Sequence, residues 1–514
     1  MILLQRRRQR HLRLGVSPAA RLSVRIGLLS ALAFALAACA VGPDFRSPTV
    51  AADAGYRSDA LPDATRSADA PTGDAQRFLQ GESVSAQWWT TFGSDELNRR
   101  VEQALANNPS VASAQAALRQ ADEQTAATRG GLFPSIDASL GANRQKNPAA
   151  TTGAFNASPY TIHNASIDIG YQLDLFGGVR RGIEAQSARA DFQRHQLDAT
   201  YLSLATNVVT TSIREASLRG QIRVTEEIIK IFQEQFDLID KQFKTGAKSQ
   251  GDVLFAQSQV AAARTQLPPL RKALAQTQTQ LAVYLGHFPS QSELEALDLD
   301  AFTLPTELPV SLPSALVRQR PDIRAAEAQL HAASAEVGIA TANLFPNIGL
   351  SASYGSQALD SSNLFGNSAE AWSLGLNLLQ PIFRGGSLRA QKRAAEAGLD
   401  KAAADYRTTL LSAFQNVADV LRALELDAEG LASHAAANEA TARSLEITSR
   451  QYEDGSVSYL QVLIETRQYQ QAKLGLIDAR ASRLADSAAL YAALGGGFDD
   501  LAAGSTGVVD RPAP

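Results

Sequence analysis

One side chain in the 514 residues offers a reactive thiol, Cys39, and its setting decides what that thiol can do. Seven arginines precede it: Arg6, Arg7, Arg8, Arg10, Arg13, Arg21 and Arg25. An uncharged run from Ile26 follows and closes on Leu36, Ala37, Ala38 and then Cys39. A basic start, a short apolar run and small residues before a cut make a secretory signal. The run is too short to span a bilayer, which takes about 20 residues. A cysteine directly after such a cut is where bacterial export attaches a diacyl lipid, so Cys39 is expected to become a lipidated N-terminus. Ala40 follows rather than Asp, so nothing signals inner-membrane retention and the outer membrane is the expected destination.

The other reactive groups point away from bond-making chemistry. A single cysteine excludes an internal disulfide and a cysteine-based metal cluster. The histidines His11, His163, His195, His287, His331 and His434 include no His-x3-His spacing, and His11 leaves with the signal. Beyond Met1 there is no methionine to relay a soft metal. The glycine pairs at Gly177 and Gly385 stand where strands meet helices but lack the GxxxxGK[ST] and GxGxxG patterns, which makes them bends rather than phosphate loops. The expectation is therefore no enzyme, no metal and no cofactor beyond the lipid on Cys39. Removing the signal leaves 41 basic against 52 acidic side chains, a charge of −11, which argues against nucleic acid as a partner.

The elements that position these groups come in two copies. "NPSVASAQAALRQA" from Asn108 resembles "RPDIRAAEAQLHAA" from Arg320, and "LFPSIDASLG" from Leu132 resembles "LFPNIGLSASYG" from Leu344, both 212 residues on. Gly246, Leu254 and Gly286 match Gly455, Leu463 and Gly495, each 209 residues on. Such self-similarity marks an internal duplication. Four stretches alternate strictly, as strands with two unlike faces do. One puts Ile167, Ile169, Tyr171 and Leu173 opposite Asp168, Gly170, Gln172 and Asp174, and another puts Trp372, Leu374, Leu376 and Leu378 opposite Ser373, Gly375 and Asn377. Ile136 to Gly141 and Asn347 to Tyr354 complete one hairpin per repeat, with long connections at 142–166 and 356–371. Apolar-out, polar-in alternation is that of outer-membrane barrels, which need about eight strands to enclose a lumen, so several chains must contribute.

Between the hairpins lie proline-free stretches, Gly182 to Thr245 and Ser387 to Asp454, long enough for helices of roughly 100 Å. Ile229, Phe232, Phe236, Ile239 and Phe243 recur at three-four spacing, a seam for a neighbouring helix. The return from Ser249 to Leu285 is shorter, and Pro268 and Pro269 interrupt it.

Taken with "CAVGPDFRSP" after the lipid site, "WWTTFGSDELNRRVEQALANNPSV" at Trp88, and the tips "FKTGAKSQGDVL" and "YEDGSVSYLQVL", the chain resembles the outer-membrane factor family, the TolC-like export ducts. The likeness is to the lipoprotein branch that serves resistance-nodulation-division efflux pumps. It implies an α+β membrane protein: a homotrimeric, twelve-stranded transmembrane β-barrel, four strands per chain, continued by a long α-helical periplasmic barrel. It also implies a passive gated duct with a periplasmic membrane-fusion adaptor and an inner-membrane pump as partners, set in outer-membrane lipid. The duct of a type I secretion system shares that architecture, and a periplasm-spanning structural lipoprotein without transport is the alternative of another class.

The expected divisions are a signal at 1–38, a lipidated extended segment at 39–85, a first repeat at 86–300, a second at 301–496 and a loose tail at 497–514. The hairpins fall at about 133–176 and 345–383 and the helical tips at about 245–254 and 454–463. Thr245, Gly246, Ala247, Lys248 and Ser249, with Gly455, Ser456, Val457 and Ser458, are small and polar, and adaptor docking is assigned to them. The resemblance places a gate after the second tip. Tyr459 and Leu460 match its apolar part, and Ile464 stands where an aspartate is common. Asp252, Asp454 and Glu465 are the candidate carboxylates, with Arg467 as a salt-bridge partner in the closed state.

Overall fold

In the computed structural model the described residues are 40–49, 55–146, 148, 158–291 and 295–497. The signal, Cys39 and the tail from 498 lie outside them. In chain order the strands are β1 (Arg77–Gln80), β2 (Ser135–Gln145), β3 (Tyr160–Leu173), β4 (Glu307–Val310), β5 (Asn347–Ala358) and β6 (Glu370–Leu379). The helices are α1 (Asp95–Asn107), α2 (Pro109–Gly130), α3 (Gly178–Lys244), α4 (Gln250–Arg264), α5 (Leu267–Tyr284), α6 (Pro313–Gln319), α7 (Pro321–Ala342), α8 (Ser387–Glu453) and α9 (Tyr459–Ala493). The chain divides into two compact units, Met1–Arg46 with Glu123–Ala188 and His331–Lys401, and Ser47–Asp122 with Arg189–Leu330 and Ala402–Pro514.

The first unit holds one antiparallel sheet in the order β2-β3-β5-β6. Its register carries the alternation across all four strands. Ile136, Ile169, Ala352 and Leu374 lie side by side in one row, and Asp137, Asp168, Ser353 and Ser373 form the next row on the opposite face. Leu140, Ile167, Tyr354, Trp372 and Leu374 are all more than half exposed, so among the described residues little packs on the apolar face. β2 and β6 each have one unpaired edge. The strands outrun the strictly alternating stretches, and the connections expected at 142–166 and 356–371 shrink to 146–159 and 359–369. Backbone pairing continues where the apolar pattern stops, because the ladder does not depend on which side chains it carries. At the strand-to-helix bends Gly177, Gly385 and Gly386 take positive φ, a conformation glycine adopts without strain.

The second unit holds the main core. The 3-10 turn Trp88–Phe92 and α1 bury Trp88, Phe92, Leu97 and Val101, and Trp88 stacks on Tyr491 of α9 with ring centroids 5.3 Å apart. β1 and β4 pair in parallel, Phe78 beside Leu308, and both of these side chains join that core. A second cluster fills the seam of α3. Phe232, with half-buried Ile229 and Phe236, meets Val260 and Ala263 of α4 and Leu463 of α9. Ile239 is buried, but Phe243, the last residue of the expected seam, stays 40% exposed.

The return segment of the first repeat splits into α4 and α5, and the break falls at Thr265 and Gln266 rather than at the prolines. Pro268 and Pro269 occupy the first turn of α5. That position has no intrahelical acceptor for an N–H, so a proline there costs nothing. The second repeat has no such prolines, and α9 runs unbroken.

Candidate functional site

Each long helix ends in the same backbone device. At the end of α3, Gly246 (φ 80°) donates its N–H to Phe243 O at 2.8 Å and Ala247 donates to Gln242 O at 2.8 Å. At the end of α8, Gly455 (φ 78°) donates to Tyr452 O at 3.0 Å and Ser456 to Gln451 O at 2.9 Å. This is the Schellman pattern, in which a left-handed residue lets the chain reverse while satisfying the last carbonyls. The returning helices Gly286 and Gly495 repeat it, with His287 donating to Ala282 O and Gly496 to Tyr491 O. The duplication read from the sequence is thus also a duplication of turn geometry.

The two tips differ after the turn. Ser249 caps α4 in a reciprocal box: the Asp252 N–H donates to Ser249 Oγ at 3.3 Å, and Ser249 N–H donates to Asp252 Oδ2 at 2.9 Å. Those two Ser249 donors, backbone N–H and hydroxyl, hold the Asp252 carboxyl below the usual carboxylate range. In the second tip Ser458 precedes α9 without a side-chain cap, and Gln461 stands where the first tip has Asp252. Thr245 returns its hydroxyl to Gln242 O at 3.0 Å, and Ser456 returns its own to Gln451 O at 2.8 Å. Lys248 and Val457 are both half-buried.

The expected gate residues do not form one cluster within a chain. Tyr459 is drawn into the helix seam, where its hydroxyl donates to Gln235 Oε1 at 3.3 Å and its ring sits 5.9 Å from Tyr452. Burial pushes the Tyr459 phenol up to about 12. Leu460 points the other way and is 55% exposed. Glu465 is buried and accepts from Gln461 Nε2 at 3.1 Å. Arg467 donates to Gln259 Oε1 rather than to Asp252, Asp454 or Glu465. Asp454 is exposed just past the end of α8. Gln259 as the partner of Arg467 was not legible beforehand, because nothing local couples two residues 208 positions apart.

A second constellation, also unforeseen, holds the stretch after Cys39. Val41 donates to Phe176 O at 3.1 Å, and Gly42 lies so close to Gly338 that a Cβ there would stand 2.4 Å from its Cα. Arg181 is buried and donates to Asp44 Oδ1 and Glu184 Oε2, both at 2.7 Å, and to Val41 O at 3.3 Å. His331 stacks on Phe45 at 4.3 Å and meets Glu184 Oε1 at 2.9 Å. Among the described residues no group of His, Cys, Asp and Glu is arranged to hold a metal ion.

Comparison with known proteins decides among the readings. The model of the outer membrane efflux protein family matches residues 101–287 and again 312–496, one tip in each stretch. The chain belongs to the outer membrane efflux protein family. As a member it is the outer-membrane channel of an efflux pump, and its α+β fold is that of the family's channels. It is 30% identical over 474 residues to a probable efflux pump outer membrane protein, TtgC, of Pseudomonas putida, covering 91% of this chain and 95% of that protein. It is also 30% identical to the outer membrane protein OprJ of Pseudomonas aeruginosa, with the same coverage. The solved outer-membrane channel OprN superposes with a TM-score of 0.80 at 28% identity, over 90% of this chain and 100% of that one. The CmeC channel of Campylobacter jejuni, at 20% identity and a TM-score of 0.82, shares the fold.

Proposed function

We propose that the efflux channel acts as a homotrimer, a gated duct that receives substrates from an inner-membrane pump and a periplasmic adaptor and releases them outside. The observation that carries this reading is the four-stranded sheet with two unpaired edges, one bare apolar face and one polar face. Such a sheet is unstable in water, and in lipid its edges must close on other chains. Three copies, the number the family resemblance implies, give twelve strands with the polar rows lining a lumen. The pump is of the resistance-nodulation-division type on the same resemblance. Adaptor docking falls to the tips around Gly246 and Gly455, where short side chains let a partner hairpin approach the backbone. The gate falls to the start of α9, and the duct works without a cofactor. Cys39 carries the lipid, a second hold on a membrane that the strands already enter.

The test is conductance. Purified full chain in planar bilayers should give a low-conductance channel, and Leu460→Ser should raise that conductance. A chain that stays silent with Leu460 replaced would favour a non-transporting tether and sink the proposal.

A further inference from the structure

We infer that the joint between two copies of the chain repeats the joint between its own two hairpins: Phe383 of one copy stacks on Phe133 of the next, and this contact selects the register in which β6 pairs with β2. The inference rests on the trimer reading above and names a contact that holds it together.

The exit of the first hairpin meets the entry of the second where β3 pairs with β5, Leu173 opposite Ile348. Three residues beyond that pair Phe176 comes opposite Phe345, and the two rings stack with centroids 4.7 Å apart and planes 16° apart. The duplication gives each ring a counterpart. Phe345 corresponds to Phe133, 212 residues earlier, and Phe176 to Phe383, 207 residues later. Both counterparts stand at the free edges of the sheet, Phe133 just before β2 and Phe383 just after β6. They are also bare where the stacked pair is covered: Phe133 is 71% exposed and Phe383 85%, against 38% for Phe345 and half-burial for Phe176. Ile382, 95% exposed, repeats the contrast with its counterpart, half-buried Leu175.

A second copy is the occupant that fits both rings at once. Copies related by rotation meet head to tail, which sets β6 of one against β2 of the next. The pairing is antiparallel, because strand direction alternates along β2-β3-β5-β6. Placing Phe383 opposite Phe133 then puts Leu376 opposite Leu140, Leu374 opposite Ala142 and Leu378 opposite Ala138, with Gly375 opposite Gly141 on the polar face. The apolar rows run on across the joint. A slip of one residue would turn those leucines toward the polar rows. A slip of two keeps the faces but parts the rings, so the stack decides among the registers that the faces allow. Lipid, by contrast, would cover each ring separately and couple neither to the other.

The experiment pairs cysteines in the full chain. Phe133→Cys with Phe383→Cys, oxidised in the membrane, should give covalent dimers and trimers on a non-reducing gel, and neither single variant should. The two sites lie at opposite edges of one sheet, too far apart for a disulfide within a chain. Leu140→Cys with Leu376→Cys should link more than Leu140→Cys with Leu378→Cys, and the reverse order would overturn the register. Absence of links from all three pairs, in protein that is trimeric by light scattering, would overturn the inference. Heat dissociation of the detergent-solubilised trimer reads the stack itself. Phe133→Ala and Phe383→Ala should each shorten the trimer's half-life several-fold, and the double variant should lose no more than either alone. Effects that multiply would mean that each ring meets lipid on its own, and the stack would fall. Monomer from the parent as well as every variant would remove the trimer reading itself, and this one with it.

Discussion

Arg100 and Glu215 lie 115 residues apart in sequence and meet at 2.9 Å, with 2% and 0% of their side chains exposed. Arg100 also donates to Glu96, Ser212 and the carbonyl of Glu295, while Glu215 accepts a second pair of bonds from Arg219. The group ties α1 to α3, and every charge in it has an opposite partner. Arg100→Ala would leave Glu215 buried beside a single arginine. Breaking a buried pair on one side costs about 3–5 kcal/mol. Thermal unfolding of the detergent-solubilised protein should show a drop of several degrees for Arg100→Ala. A melting temperature equal to the parent's would mean that water reaches Glu215.

Asp486 on α9 is hydrogen-bonded to Asp427 on α8, and burial together with that second carboxyl pushes its pKa up to about 7. Arg483, one turn before Asp486 and itself buried, feels the charges of Asp74 and Asp427. A carboxylate whose folded pKa lies above its unfolded value near 4 holds its proton more tightly when folded. Its contribution to stability is therefore full below about pH 4, fades as the pH rises and is gone above about pH 7. Asp486→Asn keeps a donor toward Asp427 and cannot ionise. It should flatten the fall in melting temperature between those two values and stabilise the protein most at pH 8. A parallel fall in parent and variant would place the titration elsewhere.

Both the alternation of β3 and β6 and the duplication were legible in the sequence, because each is a local pattern that repeats. The tips were legible for the same reason: Gly246 and Gly455 end proline-free runs, and only a left-handed residue reverses the chain there. The clasp around Arg181 was not. It joins Asp44, Glu184 and His331, which no periodicity connects, and "CAVGPDFRSP" says nothing of what it will lie against. The gate residues show the limit most directly. Tyr459, Leu460 and Glu465 are near neighbours in sequence, but a helix turns about 100° per residue, and only Leu460 of the three faces outward.

Leu374 and Ser373 are adjacent on β6 and face opposite ways, Leu374 with 76% of its surface bare. If that face meets lipid, a charge on it near mid-membrane costs about 2–4 kcal/mol, whereas one on the lumen side does not. Leu374→Arg should lower the yield of membrane-inserted trimer strongly, and Ser373→Arg should insert normally. Equal yields for the two would mean that the apolar face is covered by protein.

Arg181 bonds to both Val41 and Asp44, so the chain is fixed within two residues of Cys39 beside the end of β3. Arg181→Ala removes two of the bonds that hold this stretch, to Val41 and Asp44, but leaves Val41 bonded to Phe176 and Phe45 stacked on His331. The expected result is a strap that opens transiently: faster proteolysis between residues 40 and 60, with lipid labelling and conductance unchanged. Cys39→Ala with a cleavable signal should do the converse, losing the label and some trimer yield while the surviving trimers conduct. Wholly soluble monomer from Cys39→Ala would mean that the lipid alone holds the protein to the membrane, and the barrel assignment would fall with it.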